Sequence, residues 1–198
     1  MSHKKEDVMK HFIKRVFDIA FSIIGILFMV PVWIVIGIAI KLTSKGPIFY
    51  IHKRVGLKGR EFNCYKFRSM YVGSKENILV SDPGDERVTK IGHFIRKTSL
   101  DETPQLINVL VGDMSVVGPR PALLSQVKEF TASETDKLLV KPGLTGWTQV
   151  NGRNMLPYKK RLELDSWYAK HWTLLLDFKI IFKTLFVIFK QEGIYDVK

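Results

Sequence analysis

A chain of 198 residues, 46% hydrophobic and 25% charged, is long enough for one packed domain with an appendage and reads as globular. Its net charge of +12 predicts an anionic partner: nucleic acid, an anionic leaflet or phosphorylated substrates. The single cysteine, Cys64, excludes an internal disulfide and offers no zinc pattern, and none of the histidines, His3, His11, His52, His93 and His171, has metal-ligand spacing.

The first predicted element is apolar. Ile19 to Ile40 carries no charge. At about 22 residues it exceeds a secretory apolar core of about 7–15, and no small-residue cleavage site follows, so it reads as retained and membrane-embedded. Pro31 sits in its middle. An interior proline costs about 3 kcal/mol and kinks or breaks a helix. Ile19 to Val30 alone reaches roughly 18 Å, little over half of a hydrocarbon core about 30 Å thick. Lys4, Lys5, Lys10, Lys14 and Arg15 precede the segment, and Lys41, Lys45, Lys53, Arg54, Lys58 and Arg60 follow it. Positive flanks mark the cytoplasmic side. A helix–break–helix that dips in and returns satisfies both flanks; a proline-kinked span satisfies one. Charge and length leave these two open.

Two short strands follow, Pro47 to Val55 and Arg60 to Met70, around Gly56 and Gly59. In the second, Tyr65 and Phe67 face one side and Lys66 and Arg68 the other. Val72 to Asp85 is a polar loop. Helices are expected over Val88–Lys97, from Thr103-Pro104 onward, and over Leu156–His171, with a turn-rich stretch at Pro142-Gly143 and Gly146. In Trp172 to Gln191, Lys179, Lys183 and Lys190 fall on one stripe, with Leu175, Phe178, Ile181, Phe182, Leu185, Phe186, Ile188 and Phe189 over much of the rest. That pattern fits a helix in the headgroup plane or one packed on the protein's own core. The fold class is mainly α with a small β element (α+β). Residues 1–45 form a membrane segment with basic flanks and residues 46–198 a second, mixed domain.

The chemistry is expected in Thr98 to Pro121. Asp101 and Glu102 stand side by side ahead of Pro104, and Arg120 is held between Pro119 and Pro121. An acid pair near a rigidly placed arginine is what a phosphate-handling site needs. A plainer reading is available: Ser99-Leu100-Asp101-Glu102 fits a helix capping box, and acids at a helix start suit the dipole. Two adjacent acids on a helix point about 100° apart, however, and can take different roles.

Ordered motifs decide between these readings. Lys14-Arg15-Val16-Phe17-Asp18, Lys66-Phe67-Arg68-Ser69-Met70, Arg87 to Gly92 with Ile95-Arg96, Ser99 to Gln105, Asn108 to Pro121, Pro142 to Trp147, Gln149 to Arg153, and finally Asp165, Tyr168 and Asp177 resemble, in order, the signatures of the bacterial sugar transferases, the monotopic phosphoglycosyl transferases. The match covers roughly residues 12 to 190. Departures are Val30 where the family often has serine, His52 where it usually has glutamine, and Thr103 for a common leucine.

The resemblance implies a proline-broken re-entrant helix at Pro31, with Lys14 and Arg15 anchoring at the headgroups. It implies transfer of a sugar 1-phosphate from a UDP-sugar to undecaprenyl phosphate, releasing UMP, at the cytoplasmic face of the bacterial inner membrane. Asp101 is then the nucleophile, Glu102 and Asp101 hold Mg²⁺, and Lys66, Arg96, Arg120 and Arg153 bind substrate phosphate. Expected partners are the donor, the acceptor, membrane lipids and a possible second copy, with no nucleic acid. The small size implies no multi-span N-terminal region, which by analogy favours a modified N-acetylated sugar. An Asp-dependent phosphohydrolase and a non-catalytic, basic membrane-tethered binding module are the competing readings.

Overall fold

The computed structural model describes residues 2–74 and 85–190. Most of the expected polar loop after Val72, and the last residues of the Trp172–Gln191 segment, lie outside the described residues or have undescribed side chains.

Helix α1, Ser2–Thr43, contains Pro31 and is helical without interruption through it. The expected break is therefore not a gap in the helix. Proline removes only its own N–H and crowds the carbonyl one turn back, and packing holds the segment on both sides. Gly25 lies against Leu106, where a Cβ would come within 3.2 Å of the Leu106 side chain. Beyond Pro31, Ile36 and Ile40 are buried with Phe67 and Ile95.

Both ends of the apolar segment are tied to one body. At its start Lys14 donates to Asp177 (2.5 Å) and to the Val117 carbonyl (3.0 Å). Arg15 donates to the carbonyls of Val109 (2.7 Å) and Leu110 (2.8 Å). Buried Asp18 accepts from the Val116 N–H (2.9 Å) and the Ser115 hydroxyl (3.0 Å). Beyond its end Arg68 donates to the carbonyls of Ser44 (2.8 Å) and Lys45 (2.7 Å). Lys14 and Arg15, expected at the headgroups, are thus engaged by the protein: their charges meet Asp177 and the orphan carbonyls at the end of a helix over Gln105–Val111.

Strands β1 (Phe49–Val55) and β2 (Glu61–Phe67) form an antiparallel hairpin close to the predicted limits. Helix α2 is Lys90–Lys97, capped by the Thr89 hydroxyl on the Gly92 N–H (2.9 Å). Helix α3 is Gln105–Val111; Pro104 starts it, as its fixed φ favours, and Gly112 ends it at φ 102. Asn108, fully buried in α3, bridges to β2 through the Asn63 carbonyl (2.7 Å) and the Tyr65 N–H (3.1 Å).

A parallel pair then appears that the sequence reading missed: β3, Ser115–Val117, beside β4, Gly143–Thr145. Each has three residues, too short to show a period. Between them lies a short helix α4, Leu124–Val127. Helices α5 (Tyr158–Lys170) and α6 (Leu174–Lys190) close the chain, inside the predicted spans. The main core joins Cys64, Val109, Met114, Val116, Val117, Tyr168 and Ile180. Helix α6 resolves the two readings of its sequence by face. Leu176, Ile180 and Ile181 pack on the core, while Leu175, Phe178, Phe182, Leu185 and Phe186 are exposed. Lys179 and Lys183 lie over the Trp147 ring.

Candidate active site

The acid pair sits on a tight 3₁₀ turn, Leu100–Glu102, between α2 and α3. Ser99 enters that turn in the left-handed region (φ 57), with no side-chain cap. The capping-box reading therefore does not hold: Ser99 lacks the extended geometry a cap requires, and the Glu102 carboxylate is engaged elsewhere. A non-glycine left-handed residue costs on the order of 1–2 kcal/mol and is a feature of functional turns.

Glu102 is clamped. Lys66 on β2 donates to its Oε1 at 2.5 Å, and Arg120 reaches the same oxygen at 2.9 Å. Lys66 arrives because alternation in β2 turns Phe67 into the core and Lys66 to the opposite face. Arg120 arrives because the chain after it pairs with β1, the Val55 N–H donating to the Ala122 carbonyl at 2.9 Å. Upstream of it, the Gly118 N–H donates to Thr145 in β4 (2.8 Å) and the Gly143 N–H donates to Pro119 (2.9 Å). The unpredicted β3–β4 pair is thus the brace that aims Arg120.

The two carboxyls have unlike environments. Asp101 is buried. Burial first, and then the charge of Glu102, push its pKa up to about 6, against the pull of Lys66, Arg96 and Arg120. Burial would raise Glu102 too, but Arg120 and Lys66 hold it well below the usual carboxylate range. Glu102 is therefore held as an anion and Asp101 is the readier of the two to take a proton, a division suited to two roles.

The remaining predicted residues are placed as follows. Arg96, in α2, exerts its charge on Asp101, and its Nη1 is buried with no hydrogen-bond partner. The Arg153 backbone begins a 3₁₀ turn, Arg153–Met155; its side chain lies outside the described residues. Pro31 is not in the site, but Trp33, two residues on, donates to the Thr103 hydroxyl at 2.8 Å, tying α1 to the residue after Glu102. Thr103, a departure from the expected leucine, supplies that tie.

A small cavity of about 10 Å³, room for one water, is lined by His52, Arg54, Cys64, Lys66, Glu102 and Gln105, among others. His52, Arg54 and Gln105 are site residues the sequence reading did not assign. His52, one of the histidines without metal-ligand spacing, lines this pocket together with Glu102. The available signal was alternation: Tyr50, His52 and Arg54 share one face of β1, and Tyr50 lies opposite Lys66 in the register.

Among the described residues no cluster of three or more histidine, cysteine or acidic side chains could hold a metal by itself. The donor set nevertheless fits Mg²⁺, which takes one or two carboxylates and completes its shell with substrate oxygens and water. Asp101, whose pKa is raised first by burial and then by the charge of Glu102, is the kind of group a divalent cation would relieve.

The model of the family described as bacterial sugar transferase matches residues 9–191. The chain is 44% identical over 200 residues to the "Undecaprenyl-phosphate galactose phosphotransferase" of Salmonella typhimurium, covering 93% of this chain and 42% of that protein. It is 39% identical over 192 residues to the "UDP-glucose:undecaprenyl-phosphate glucose-1-phosphate transferase" of Escherichia coli, covering 92% and 41%. It is 44% identical over 185 residues to the "Uncharacterized sugar transferase EpsL" of Bacillus subtilis, covering 92% and 90%. The chain thus spans less than half the length of the first two relatives and most of the third.

Proposed function

The chain belongs to the bacterial sugar transferase family, and on that premise we propose that it moves a sugar 1-phosphate from a UDP-sugar to undecaprenyl phosphate, releasing UMP. The observation that carries this reading is the buried Asp101 beside a Glu102 clamped by Lys66 and Arg120, with Arg96 acting on Asp101 through its charge while its Nη1 is buried without a hydrogen-bond partner. In this reading an Asp101 oxygen attacks the β-phosphorus of the donor. The bond from that phosphorus to the bridging oxygen breaks, and UMP leaves with that oxygen. The phosphosugar remains on Asp101 as an acyl phosphate. An oxygen of undecaprenyl phosphate then attacks the same phosphorus and returns the Asp101 carboxylate. Lys66, Arg96, Arg120 and Arg153 hold phosphate oxygens through charge-assisted hydrogen bonds. Asp101 and Glu102 would hold Mg²⁺, which neutralises charge on the diphosphate.

The same reading places the protein at the cytoplasmic face of the inner membrane. Residues 1–45 enter the bilayer and return, and residues 46–198 carry the site. Support comes from two features. Helix α1 is apolar and largely exposed between ends that are bound to one body. Phe17 of α1 also packs edge-on against Phe178, at 5.9 Å, so exposed apolar side chains of α1 and α6 form one surface. An acceptor whose phosphate lies among headgroups would meet the site there, with the nucleotide sugar arriving from water.

The test is UMP release from a panel of UDP-sugars with Mg²⁺, with and without undecaprenyl phosphate. Lipid-dependent release with one preferred sugar is the expected result. Sustained release without the lipid would establish hydrolysis instead.

A further inference from the structure

His52 is the site residue whose polar atoms are least accounted for. Its side chain lies on the pocket face of β1, opposite Cys64 in the hairpin register, and its ring stacks on Tyr50 at 5.1 Å and 25°. The stacking fixes the ring plane. Yet both nitrogens, Nδ1 and Nε2, are buried without a hydrogen-bond partner. Folded proteins rarely leave buried polar atoms unmet, because each forfeits its hydration.

The groups around the ring narrow the choice of partner. Arg54 faces it from its own strand, Lys66 from β2, Arg120 from the segment after β3, and Glu102 from the 3₁₀ turn. Burial, with Arg54 and Lys66 adding to it, pushes the imidazole pKa down to about 3, against the smaller pull of Glu102. A second positive charge is thus unwelcome, and the ring is neutral at working pH. A neutral imidazole offers one N–H donor and one acceptor. The pocket's own carboxylate, Glu102, is engaged by Lys66 and Arg120, and the cations around the ring favour an anionic oxygen as its acceptor.

We propose that His52 is a substrate-positioning residue that donates an imidazole N–H to a phosphate oxygen of a bound substrate, as a hydrogen-bond donor beside Arg54 and not as a proton carrier. It rests on the phosphate-transfer reading for its ligand. Two phosphates could occupy the position, the diphosphate of the donor or the headgroup phosphate of the acceptor, and kinetics separates them. Arg54 makes no ion pair among the described residues and supplies the adjacent charge.

The experiment uses the full chain in detergent with His52→Leu and His52→Gln. His52→Leu should raise KM for one of the two phosphate substrates about tenfold or more while kcat falls less than about threefold, the signature of a lost binding contact. The substrate affected identifies the phosphate. His52→Gln, whose amide N–H can serve the same acceptor, should recover KM to within about threefold of the parent. The pH profile should keep its shape in His52→Gln. Unchanged KM for both substrates in His52→Leu would overturn the proposal, as would loss of a pH limb in His52→Gln. Melting temperatures guard against misfolding, and His52→Gln carries the pH test if His52→Leu fails to fold. A readout independent of turnover is ¹⁵N NMR of labelled imidazoles on adding pyrophosphate, with His52 assigned by its absence in His52→Gln. If no donor is turned over but pyrophosphate moves the His52 nitrogens, the transfer reading falls and this one stands. If pyrophosphate moves no His52 signal, the proposal falls whatever the turnover.

Discussion

Lys66 and Glu102 meet across the hairpin and the 3₁₀ turn at 2.5 Å, and Arg120 shares the same carboxylate oxygen. In the proposed metal site, Mg²⁺ and these two cations would compete for one group. A metal ion there would meet Glu102 at the less engaged Oε2, 3.5 Å from Arg120, and would share the carboxylate's charge with Lys66 and Arg120.

That competition has a sign. Lys66→Met should tighten the apparent Mg²⁺ activation constant, because Glu102 loses a competing cation. It should loosen KM for the UDP-sugar, because a phosphate ligand is gone. Shifts of about threefold to tenfold in opposite directions are expected for one charge-assisted contact. Steady-state rates over a grid of Mg²⁺ and donor check this, and both constants rising together would refute the competition.

Asp101→Asn should abolish turnover and leave membrane association intact. It should also stabilise the fold. The folded-state pKa of Asp101 is raised from the usual 3.8 to about 6. The native state thus binds the proton more tightly than the unfolded chain, and stability is lost as pH rises between those values. Above pH 6 the ionised, desolvated acid costs on the order of 1–3 kcal/mol, which the amide removes. Melting curves at pH 5 and pH 8 should show the variant gaining more at pH 8. With Asp101 in the proposed role of nucleophile, kcat/KM of the parent should also fall towards acid pH as this raised carboxyl takes up its proton.

Much of this fold is legible in the sequence because its signals are local. The hairpin shows in alternation, α3 in its leading proline, and the apolar character of α1 in composition alone. The acid pair, Lys66, Arg96 and Arg120 do gather around one turn, as their motifs imply. What is not legible is what depends on distant partners. The β3–β4 pair is held by Gly118–Thr145 and Gly143–Pro119 bonds between segments far apart in sequence. Lys14 looks like a headgroup anchor until Asp177, from the other end of the chain, is seen to take it. The Ser99 cap fails because Glu102 finds stronger partners than a backbone N–H.

Gly143→Ala tests the brace behind Arg120. A Cβ there would fall 2.0 Å from the Gly118 nitrogen and 2.5 Å from the Thr145 carbonyl oxygen. Both neighbours are backbone, so neither can rotate away, and β3 and β4 would have to separate. A loss of about 3 kcal/mol or more is expected, well beyond an ordinary surface substitution. Gly59→Ala, whose Cβ meets nothing within 4 Å but whose φ is 75, should cost only about 1 kcal/mol. Chemical denaturation of both variants decides whether crowding or backbone conformation matters more.

The last prediction concerns which side of the membrane the ends of α1 occupy. Lys14, Arg15 and Asp18 bind α3, β3 and α6 at one end, and Ser44 and Lys45 accept from Arg68 of β2's exit at the other. Crossing the bilayer would require breaking one of these sets, including the Lys14–Asp177 pair. That pair is mostly buried, and Asp177 also accepts from Tyr168 (2.6 Å) and Trp172 (3.0 Å). Removing one partner of such a network typically costs about 3–5 kcal/mol. A single cysteine at Met9 or at Leu42, both exposed, should therefore react with an impermeant maleimide only from the cytoplasmic side. Cys64 is fully buried and should stay silent. Labelling of either position from the outer face would establish a true span and detach one of the two anchors described above.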